Sequence, residues 1–407
     1  MCSPILGGMV LDVMAHPAAG SRLQPGTTVP GTVRQTPGGV ARNVAEAFWA
    51  LAPLGLAPPL LISAVASDPG GDALLAHWRG LGLDARGIRL CDTAACATPS
   101  VAVLFDARGE VAAAVADVSL VERAVDAAWL ARFQGEIRAA PLVVADANLS
   151  HEALGYLSRL TAAAGVSVWF ENASAPKSGR GAALLPHPCL LISPNAAELA
   201  SFAAALRQDG AQPPSQAEAK PKPEPGEDHA DSDASLLGEA GECLDAGVSF
   251  VVLHLGKDGA VLCSSAASCG GYGVGGGSIA AGGHAQGREF VRLPALPASE
   301  LVNCSGAGDC LAAGSIAALA EARSRDVDRY RSRAAGGSGS SAVPRPVDCP
   351  FRPDAVLKAL AQGMAAARAA VESSRNVPDF GSRREQLKRD AQHILELAHH
   401  VQCHRGM

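Results

Sequence analysis

The chain has 407 residues, of which 48% are hydrophobic, so it is long enough for one large α/β domain or two ordinary ones and can fill a sizeable core. Its 34 Lys and Arg residues against 40 Asp and Glu give a net charge of −6, which offers no support for a nucleic-acid or anionic-membrane partner, since both favour basic surfaces. No apolar run approaches the roughly 20 residues that a membrane helix needs.

The eleven cysteines are scattered along the chain without a CxxC pair. The first residues, MCSPILGGMVLDV, lack the basic and apolar regions of a secretory signal. This combination predicts reduced thiols in a soluble, cytoplasmic protein.

Short apolar runs alternate with Ala-rich stretches of helical periodicity along most of the chain. The runs predicted as strands are 4–15, 58–67, 100–118 (two strands and a tight turn), 141–150, 166–174, 188–195 and 249–263 (a strand and its return strand). Predicted helices are 41–52 and 72–82, with further helical stretches between 141–150 and 166–174 and after 188–195. Near-continuous apolar strands alternating with helices are typical of a parallel sheet covered on both faces, so the predicted fold class is α/β.

Three segments lack the apolar side chains that would offset the entropy of ordering them. Residues 208–235 are rich in Pro and charged side chains, and residues 264–288 and 332–349 are rich in Gly and Ser. We interpret them as low-complexity surface insertions in a single domain of residues 1–407. A two-domain alternative would place a linker at 208–235, but the strand pattern resumes directly after it.

The stretch NCSGAGDC (303–310) places small residues before a carboxylate and a helical run. Gly306, Ala307 and Gly308 let backbone N–H groups converge on an anion, and the following helix adds the positive end of its dipole. Asp309 would repel a phosphate, so we interpret it as a general base for an attacking hydroxyl, beside a loop that stabilises a transferred phosphoryl group. The alternative is a Gly-rich turn whose Asp is a helix N-cap.

A second motif, TPGGVARNVAEAFWALAPLG (36–55), lies near the other end of the chain. Gly38 and Gly39 would allow close backbone approach to a ligand, and Asn43 offers a donor and an acceptor to a hydroxylated one. Alone, the motif could be a loop before an ordinary amphipathic helix. Together and in this order, the two motifs resemble the two signatures of the PfkB (ribokinase-like) carbohydrate kinase family.

This resemblance implies a ribokinase-like three-layer α/β/α Rossmann-like domain. A small β-sheet lid would come from about residues 13–35 and 98–118. Asp309 would be the base and residues 306–308 the anion hole. The side chains and backbone that would hold the ribose hydroxyls are those of Asp12, Gly38, Gly39 and Asn43.

The resemblance also implies ATP and Mg²⁺ as cofactors. SPNAAEL (193–199) resembles the NxxE element of the family, whose Glu, here Glu198, helps to organise magnesium through water. From local sequence alone, Asn195 could instead cap a helix and Glu198 complete its capping box. The residues that would lie near the nucleotide are Asn195, Gly256, Ser305, Ala367 and Asn376, although for the last two an amphipathic helix with no ligand role is the alternative.

The second signature departs from the common family form, DTTGAGD. Ser305 keeps the hydroxyl of the family Thr, so the chemistry of the loop survives. Asn303 removes a charge beside a monovalent-cation site, so a requirement for K⁺ stays open.

Further details resemble the pseudouridine kinase group of this family. An Arg precedes Asn43, and residues 111–118 resemble the lid strand of that group, which ends in an Asp, here Asp117. ADANLS (145–150) matches its Asp-x-Asn element at Asp146 and Asn148, and VWFENASAPKS (168–178) resembles its strand end followed by Ser and Lys, with Glu171 and Lys177 at these positions. The implied acceptor is therefore pseudouridine, although Lys177 could simply be a solvated loop lysine.

Two alternatives stay open for the activity. The same fold could act on another acceptor, such as ribose or adenosine. It could also be a non-catalytic ligand-binding protein, although intact Asn43, Glu198 and Asp309 argue against this. The resemblance leaves open a homodimer formed through the lid.

Overall fold

The computed structural model describes residues 2–18, 20–24, 26–53, 55–92, 96–108, 111–208, 229–265, 287–302, 304–335 and 350–401. Most of the three predicted insertions, and Asn303, lie outside these residues. The strands are β1 (Pro4–Leu6), β2 (Val10–Pro17), β3 (Gly31–Gly38), β4 (Leu60–Ala66), β5 (Ile88–Cys91), β6 (Ser100–Phe105), β7 (Val111–Asp117), β8 (Val143–Asp146), β9 (Val168–Glu171), β10 (Leu190–Ser193), β11 (Phe250–His254), β12 (Ala260–Ser265), β13 (Arg288–Leu293) and β14 (His399–His400). The helices are α1 (Val40–Leu51), α2 (Pro69–Gly80), α3 (Ser119–Ala124), α4 (Ala127–Ala131), α5 (Gln134–Ala139), α6 (His151–Ala164), α7 (Ala175–Ser178), α8 (Ala196–Arg207), α9 (His229–Asp245), α10 (Ala307–Ala335), α11 (Pro353–Val371) and α12 (Arg384–Leu397).

The larger sheet has ten strands in the order β14-β13-β12-β11-β10-β9-β8-β1-β4-β5. The run from β11 to β5 is parallel, and β12, β13 and β14 extend it as antiparallel strands. From β1 the chain proceeds to β4 and β5 on one side, and from β8 it proceeds to β9, β10 and β11 on the other. The direction of strand order therefore reverses between β1 and β8, which is where α/β sheets bind their ligands.

Buried side chains alternate between the two faces of this sheet. Ile5 and Leu61 point into one hydrophobic cluster, with α1, α2, α10, α11 and α12. Leu6 and Ile62 point into the other, with α3–α6, α8 and α9. Two apolar layers of helices therefore cover one sheet, and the predicted three-layer α/β class is confirmed.

The smaller sheet has four strands in the order β3-β2-β6-β7. β2 pairs antiparallel with β3 and parallel with β6, and β6 pairs antiparallel with β7. These strands overlap the segments predicted as a lid. β7 is exposed along its whole length, and whether this sheet moves stays a prediction.

The prediction of one strand over residues 4–15 is wrong, because the chain leaves the larger sheet after β1 and enters the smaller sheet as β2. Between them, the N–H of Gly8 donates to the Asp146 carboxylate (2.8 Å), and the carbonyl of Gly8 accepts from the N–H of Arg42 (3.1 Å). The N–H and the carbonyl of Gly8 therefore do not take part in hydrogen bonding between strands. Apolar residues on both sides of the break concealed it in the sequence.

Three further observations qualify the sequence predictions. The predicted insertions are shorter than expected, since α9 starts at His229, β12 and β13 include 264–265 and 288, and α10 reaches Ala335. The expectation of reduced thiols fails at Cys189, which is disulfide-bonded. Within the described ranges, none of the helices combines the length and apolar character that crossing a bilayer requires.

Asp68 connects the end of β4 to the segment that enters the smaller sheet. One carboxylate oxygen accepts from the N–H of Gly71 (2.8 Å) and from the Thr98 hydroxyl (2.6 Å), and the other accepts from the N–H of Thr98 (2.8 Å). The Thr98 hydroxyl oxygen in turn accepts from the N–H of Ala66 (3.0 Å). Asp68 is thus an N-cap of α2 and also an anchor between the two sheets.

We predict that Asp68→Ala lowers the free energy of unfolding by about 2–3 kcal/mol, because it removes a helix cap and leaves the N–H of buried Thr98 without its acceptor. The matched control is Asp126→Ala, which removes an N-cap bonded to the N–H of Trp129 (2.7 Å) together with an exposed ion pair to Arg89 (3.5 Å). Its expected cost is about 1 kcal/mol. Urea denaturation of both variants measures the difference, and equal losses would contradict the anchoring role.

Candidate active site

Polar side chains collect at the carboxyl ends of the central parallel strands. Asp146, Glu171, Ser193 and His254 are the last residues of β8, β9, β10 and β11. The N-termini of α1 and α10 are bonded to each other across this edge through Asn43 and Asp309. The two motifs singled out in the sequence, some 260 residues apart, therefore meet at the switch point of the sheet.

Asp309 lies in the first turn of α10, whose first residue is Ala307. It is therefore inside the helix, and the alternative of an N-cap is wrong. Its Oδ2 accepts a hydrogen bond from Nδ2 of Asn43 (2.6 Å). Burial raises the pKa of Asp309 to about 6, against the lowering effects of this hydrogen bond and of the Arg42 charge. A carboxylate with such a pKa is suited to accept a proton near neutral pH.

Arg42 is a buried cation beside this carboxylate, with 2% of its surface exposed. Its guanidinium donates to the carbonyls of Gly38 (3.2 Å) and Pro37 (2.6 Å), to Oδ1 of Asn43 and to the Glu46 carboxylate. Burial lowers the pKa of Arg42 from its high ordinary value, opposed by the charges of Glu46 and Asp309. The site therefore contains an internal positive charge.

Asp12 and Asn376 lie together on the smaller-sheet side of the site. Nδ2 of Asn376 donates to Oδ2 of Asp12 and to the carbonyl of Pro37 (both 3.4 Å). Burial raises the pKa of Asp12, against the Arg42 charge and the Asn376 hydrogen bond. The predicted nucleotide neighbour Asn376 thus contacts a predicted acceptor-binding residue.

Backbone packing requires glycine at 39 and 306, and Gly38 lies directly against the Asp12 carboxylate. A Cβ on Gly38 would lie 2.1 Å from Oδ2 of Asp12. Gly39 has φ +93° and lies against the carbonyl of Gly8, and Gly306 has φ +78° and lies against the carbonyl of Asn376. The absence of a side chain at these positions therefore has a cause within the protein, whereas the sequence had suggested close approach of a ligand.

Asp146 is almost fully buried, with 1% of its surface exposed. It accepts from the N–H groups of Gly8 (2.8 Å), Ala41 (3.1 Å) and Asn148 (2.8 Å). Burial raises the pKa of Asp146, and these backbone hydrogen bonds oppose the rise. The carboxylate thus joins β8 to the β1–β2 connection and to the first turn of α1.

Asn148 and Lys177 form a pair on the other side of Asp146. Nζ of Lys177 donates to Oδ1 of Asn148 (2.8 Å). Burial lowers the pKa of Lys177, and the Asp146 charge acts in the opposite direction. Lys177 is therefore a half-buried, hydrogen-bonded side chain, and the alternative of a solvated lysine is wrong.

The alternative for Asn195 and Glu198 is confirmed as local structure, since they form a capping box at the start of α8. Oδ1 of Asn195 accepts from the N–H of Glu198 (3.0 Å), and Oε2 of Glu198 accepts from the N–H of Asn195 (2.9 Å). Burial raises the pKa of Glu198, opposed by these hydrogen bonds. The capping role occupies one carboxylate oxygen and does not exclude a second role for the other.

His254 lies between the end of β10, just before the capping box, and residues 306–308. Its Nε2 lies 2.9 Å from the Ser193 hydroxyl, and its Nδ1 lies 3.9 Å from the position of a Cβ on Gly308. Burial lowers the pKa of His254 to about 4, so the ring is neutral at neutral pH. Gly256 follows in an exposed turn with open space beside it.

The carboxylates near the small-residue loop suit a hard divalent cation such as Mg²⁺. The negative charges of Asp309 and Glu198 both act on buried Glu171, whose pKa is raised well above its ordinary value, first of all by burial. In the described part of the chain, no cluster of three or more His, Cys, Asp or Glu could hold a metal by itself. Mg²⁺ is usually held by one or two carboxylates together with water and substrate phosphates, so these residues fit that ion.

Asp117 and Ala367 make no contact with this network among the described residues. Asp117 is exposed at the end of β7, where it accepts from the Ser119 hydroxyl (3.3 Å). Ser305 is exposed in the turn before α10, and Ala367 packs on α11 against the hydrophobic core. Asn303, on which the question of K⁺ turned, lies outside the described residues.

Arg42, Asp146 and Glu171 were recognised in the sequence only as parts of the resemblance, without a role, and Glu46 and His254 were not singled out. Arg42 and Glu46 have the i, i+4 spacing of an ion pair on a helix, which was a usable signal. The other three are strand-end residues, and their meeting depends on strand order. No local pattern in the sequence shows that order.

Comparisons with known proteins identify the family of this chain. A family model described as pfkB family carbohydrate kinase matches residues 9–335. A pseudouridine kinase of Arabidopsis thaliana is 30% identical over 424 aligned positions, covering 99% of both chains. A pseudouridine kinase of Escherichia coli (strain K12) is 34% identical over 173 residues, or 42% of this chain and 52% of that protein.

Solved structures share the fold at low sequence identity. Ribokinase from Giardia lamblia has a TM-score of 0.65 and 16% identity, covering 95% of this chain and 98% of that one. Arabidopsis thaliana ribokinase complexed with ribose and ATP has a TM-score of 0.61 and 17% identity, covering 95% of this chain and 99% of that one. With a family model that spans most of its length, the chain belongs to the pfkB family of carbohydrate kinases.

Proposed function

We propose that this kinase transfers the γ-phosphoryl group of ATP to the ribose 5′-hydroxyl of pseudouridine. The observation that carries the proposal is the Asp309 carboxylate, held by Asn43 at the start of α10 with a pKa of about 6. Membership of the family makes the chain a phosphotransferase. Pseudouridine as the acceptor is supported by the full-length similarity to the Arabidopsis enzyme.

On the acceptor side, Asp309 takes the proton of the attacking hydroxyl. Asn43 holds Oδ2 of Asp309, so Oδ1 is the oxygen proposed to receive that proton. Asp12, Gly38 and Gly39 border the same space and are proposed to hold the ribose hydroxyls. With the base and the hydroxyl held next to each other, the proton transfer becomes effectively unimolecular.

The uracil base needs polar groups of its own. Asn148 and Lys177, already bonded to each other, are proposed to bind it together with Asp117. A substrate hydroxyl or amide that is read by a buried polar group discriminates strongly, because an analogue without it leaves that group unpaired.

On the phosphate side, the first N–H groups of α10 are proposed to bind the phosphate, because the first turn of a helix leaves its N–H groups without partners inside the helix. When bound, ATP supplies the phosphoryl group, and Mg²⁺ offsets charge on the phosphate oxygens. Glu198 is proposed to hold Mg²⁺ through water. The residues proposed to border the nucleotide are Asn195, Gly256, Ser305, Ala367 and Asn376.

The acceptor is tested by ADP release with Mg·ATP and pseudouridine, uridine, adenosine, ribose or no acceptor. We expect release with pseudouridine to exceed that with each of the others by more than about tenfold, a difference in transition-state binding of about 1.4 kcal/mol. The product should carry its phosphate on the 5′ oxygen. Faster turnover of ribose or adenosine would remove pseudouridine from the proposal, and no turnover of any acceptor would favour a non-catalytic binding protein.

We expect Asp309→Asn to lower kcat by about 10²–10⁴-fold, because the amide cannot accept the proton. The variant should stay folded. The raised pKa of Asp309 means that its contribution to stability is present below about pH 4 and lost as the pH rises through about 6, so removing its charge does not destabilise the fold above pH 6. Thermal unfolding at pH 8 checks this, and wild-type activity in the folded variant would refute the role of Asp309.

The pH dependence gives an independent check. The value of kcat/KM for the acceptor, at saturating ATP, should fall about tenfold per pH unit below an apparent pKa of about 6, because protonated Asp309 cannot act as a base. A profile that stays flat from pH 5 to 8 would contradict this assignment. A matched measurement on the residual activity of Asp309→Asn should lack this acid limb.

A further inference from the structure

A line of hydrogen-bonded side chains runs along the first turns of α1 to Asp309. Glu46 accepts from the Arg42 guanidinium, which donates to Oδ1 of Asn43, and Nδ2 of Asn43 donates to Asp309. Glu46 also bonds Nε2 of His77, from α2, at 2.8 Å. The line thus connects a half-exposed histidine to the proposed base.

This arrangement determines which way the Asn43 amide points. The two ends of an amide side chain differ only in being a donor and an acceptor. Because the guanidinium can only donate, the end facing Arg42 must be the oxygen, and the end facing Asp309 must be the NH₂ group. The ionised Asp309 carboxylate can also only accept and so favours the same orientation, but once Asp309 is protonated, Arg42 alone still fixes it.

Stability alone does not explain why Arg42 is there. A buried ion pair contributes little net stability compared with apolar residues of similar volume, because desolvation offsets the attraction. The guanidinium nevertheless has four described acceptors within five residues of it in sequence. Such full coordination holds the cation in one place beside the base.

We propose that Arg42, held by Glu46, is a positioning residue for phosphoryl transfer: it orients the Asn43 amide toward Asp309 and supplies the cation that balances the Asp309 carboxylate. This inference rests on the proposed function, in which Asp309 is the base. Arg42 acts through Asn43 and through its charge, without contact with the reacting atoms.

The charges around Arg42 determine whether each substitution raises or lowers the pKa of Asp309. Glu46 lies on the same helix with His77 of α2 behind it, Asp12 faces Arg42 from β2, and Asp309 faces it from α10. Asp146 of β8, which is hydrogen-bonded to the first turn of α1, raises the pKa of Asp309 through its negative charge. Removing the Arg42 cation favours protonated Asp309, whereas removing the Glu46 anion leaves the cation unopposed and favours ionised Asp309.

The test compares pH profiles of kcat/KM for the acceptor in the full-length chain. Arg42→Gln should lower kcat by about 10–100-fold and shift the acid limb up by about one pH unit. Glu46→Gln should shift the same limb down. Arg42→Lys should keep the limb near its wild-type position while kcat falls, because an ammonium keeps the charge and loses the fork of donors.

The matched control is Arg368→Gln, which removes a partly buried arginine bonded to Asp390 (2.7 Å) on α12. It should leave the acid limb in place. If Arg42→Gln does not fold, the opposite shift in Glu46→Gln and the unshifted limb in Arg42→Lys decide the matter.

Equal losses of activity in the three variants with an unmoved acid limb would overturn the inference and leave Arg42 a structural residue. That outcome is separate from failure of the proposed function. The latter would appear as wild-type activity in Asp309→Asn, whatever the Arg42 variants do.

Discussion

The buried carboxylate of Asp146 is the interaction on which the site depends. It is bonded to backbone N–H groups of the β1–β2 connection, of α1 and of its own strand end. The two segments other than its own lie 138 and 105 residues away in sequence. Because α1 carries Arg42 and Asn43, the placement of these side chains against Asp309 follows from where Asp146 holds the start of that helix. An acid with three backbone donors has a geometry that few substitutions could reproduce.

Negative charge dominates this edge of the sheet. Asp12, Asp146, Glu171 and Asp309 all have pKa values raised first of all by burial, and several of them act on one another. Arg42 is the buried cation beside them, and Lys177 lies on the far side of Asp146. A divalent cation such as Mg²⁺ would offset this negative charge locally.

Local motifs made the centre of the site predictable. Small residues before Asp309 and a Gly pair before Asn43 can be recognised within a few positions, and the structure brings the two together. The Asn195–Glu198 capping box is equally local. The strand break at residues 7–9 was not predictable, because the runs before and after it are both apolar. The burial of Arg42 was not predictable either, since a charged residue on an amphipathic helix is expected to face solvent until the helix is docked.

The points at which the chain passes between the two sheets limit how the smaller sheet could move. The chain crosses at residues 7–9, at Gly39 and again at Val118, with Thr98 fixed to Asp68 nearby. These points cluster at one end of β2 and β3, where Val10 pairs with Gly38, while Pro17 and Gly31 form the far end. If this sheet moves, its attachment at one end predicts rotation about that end. Asp12 lies roughly 7 Å from Val10 along the strand and Pro17 roughly 23 Å, so an opening that moves the tip by many ångströms displaces Asp12 by only about a third as much.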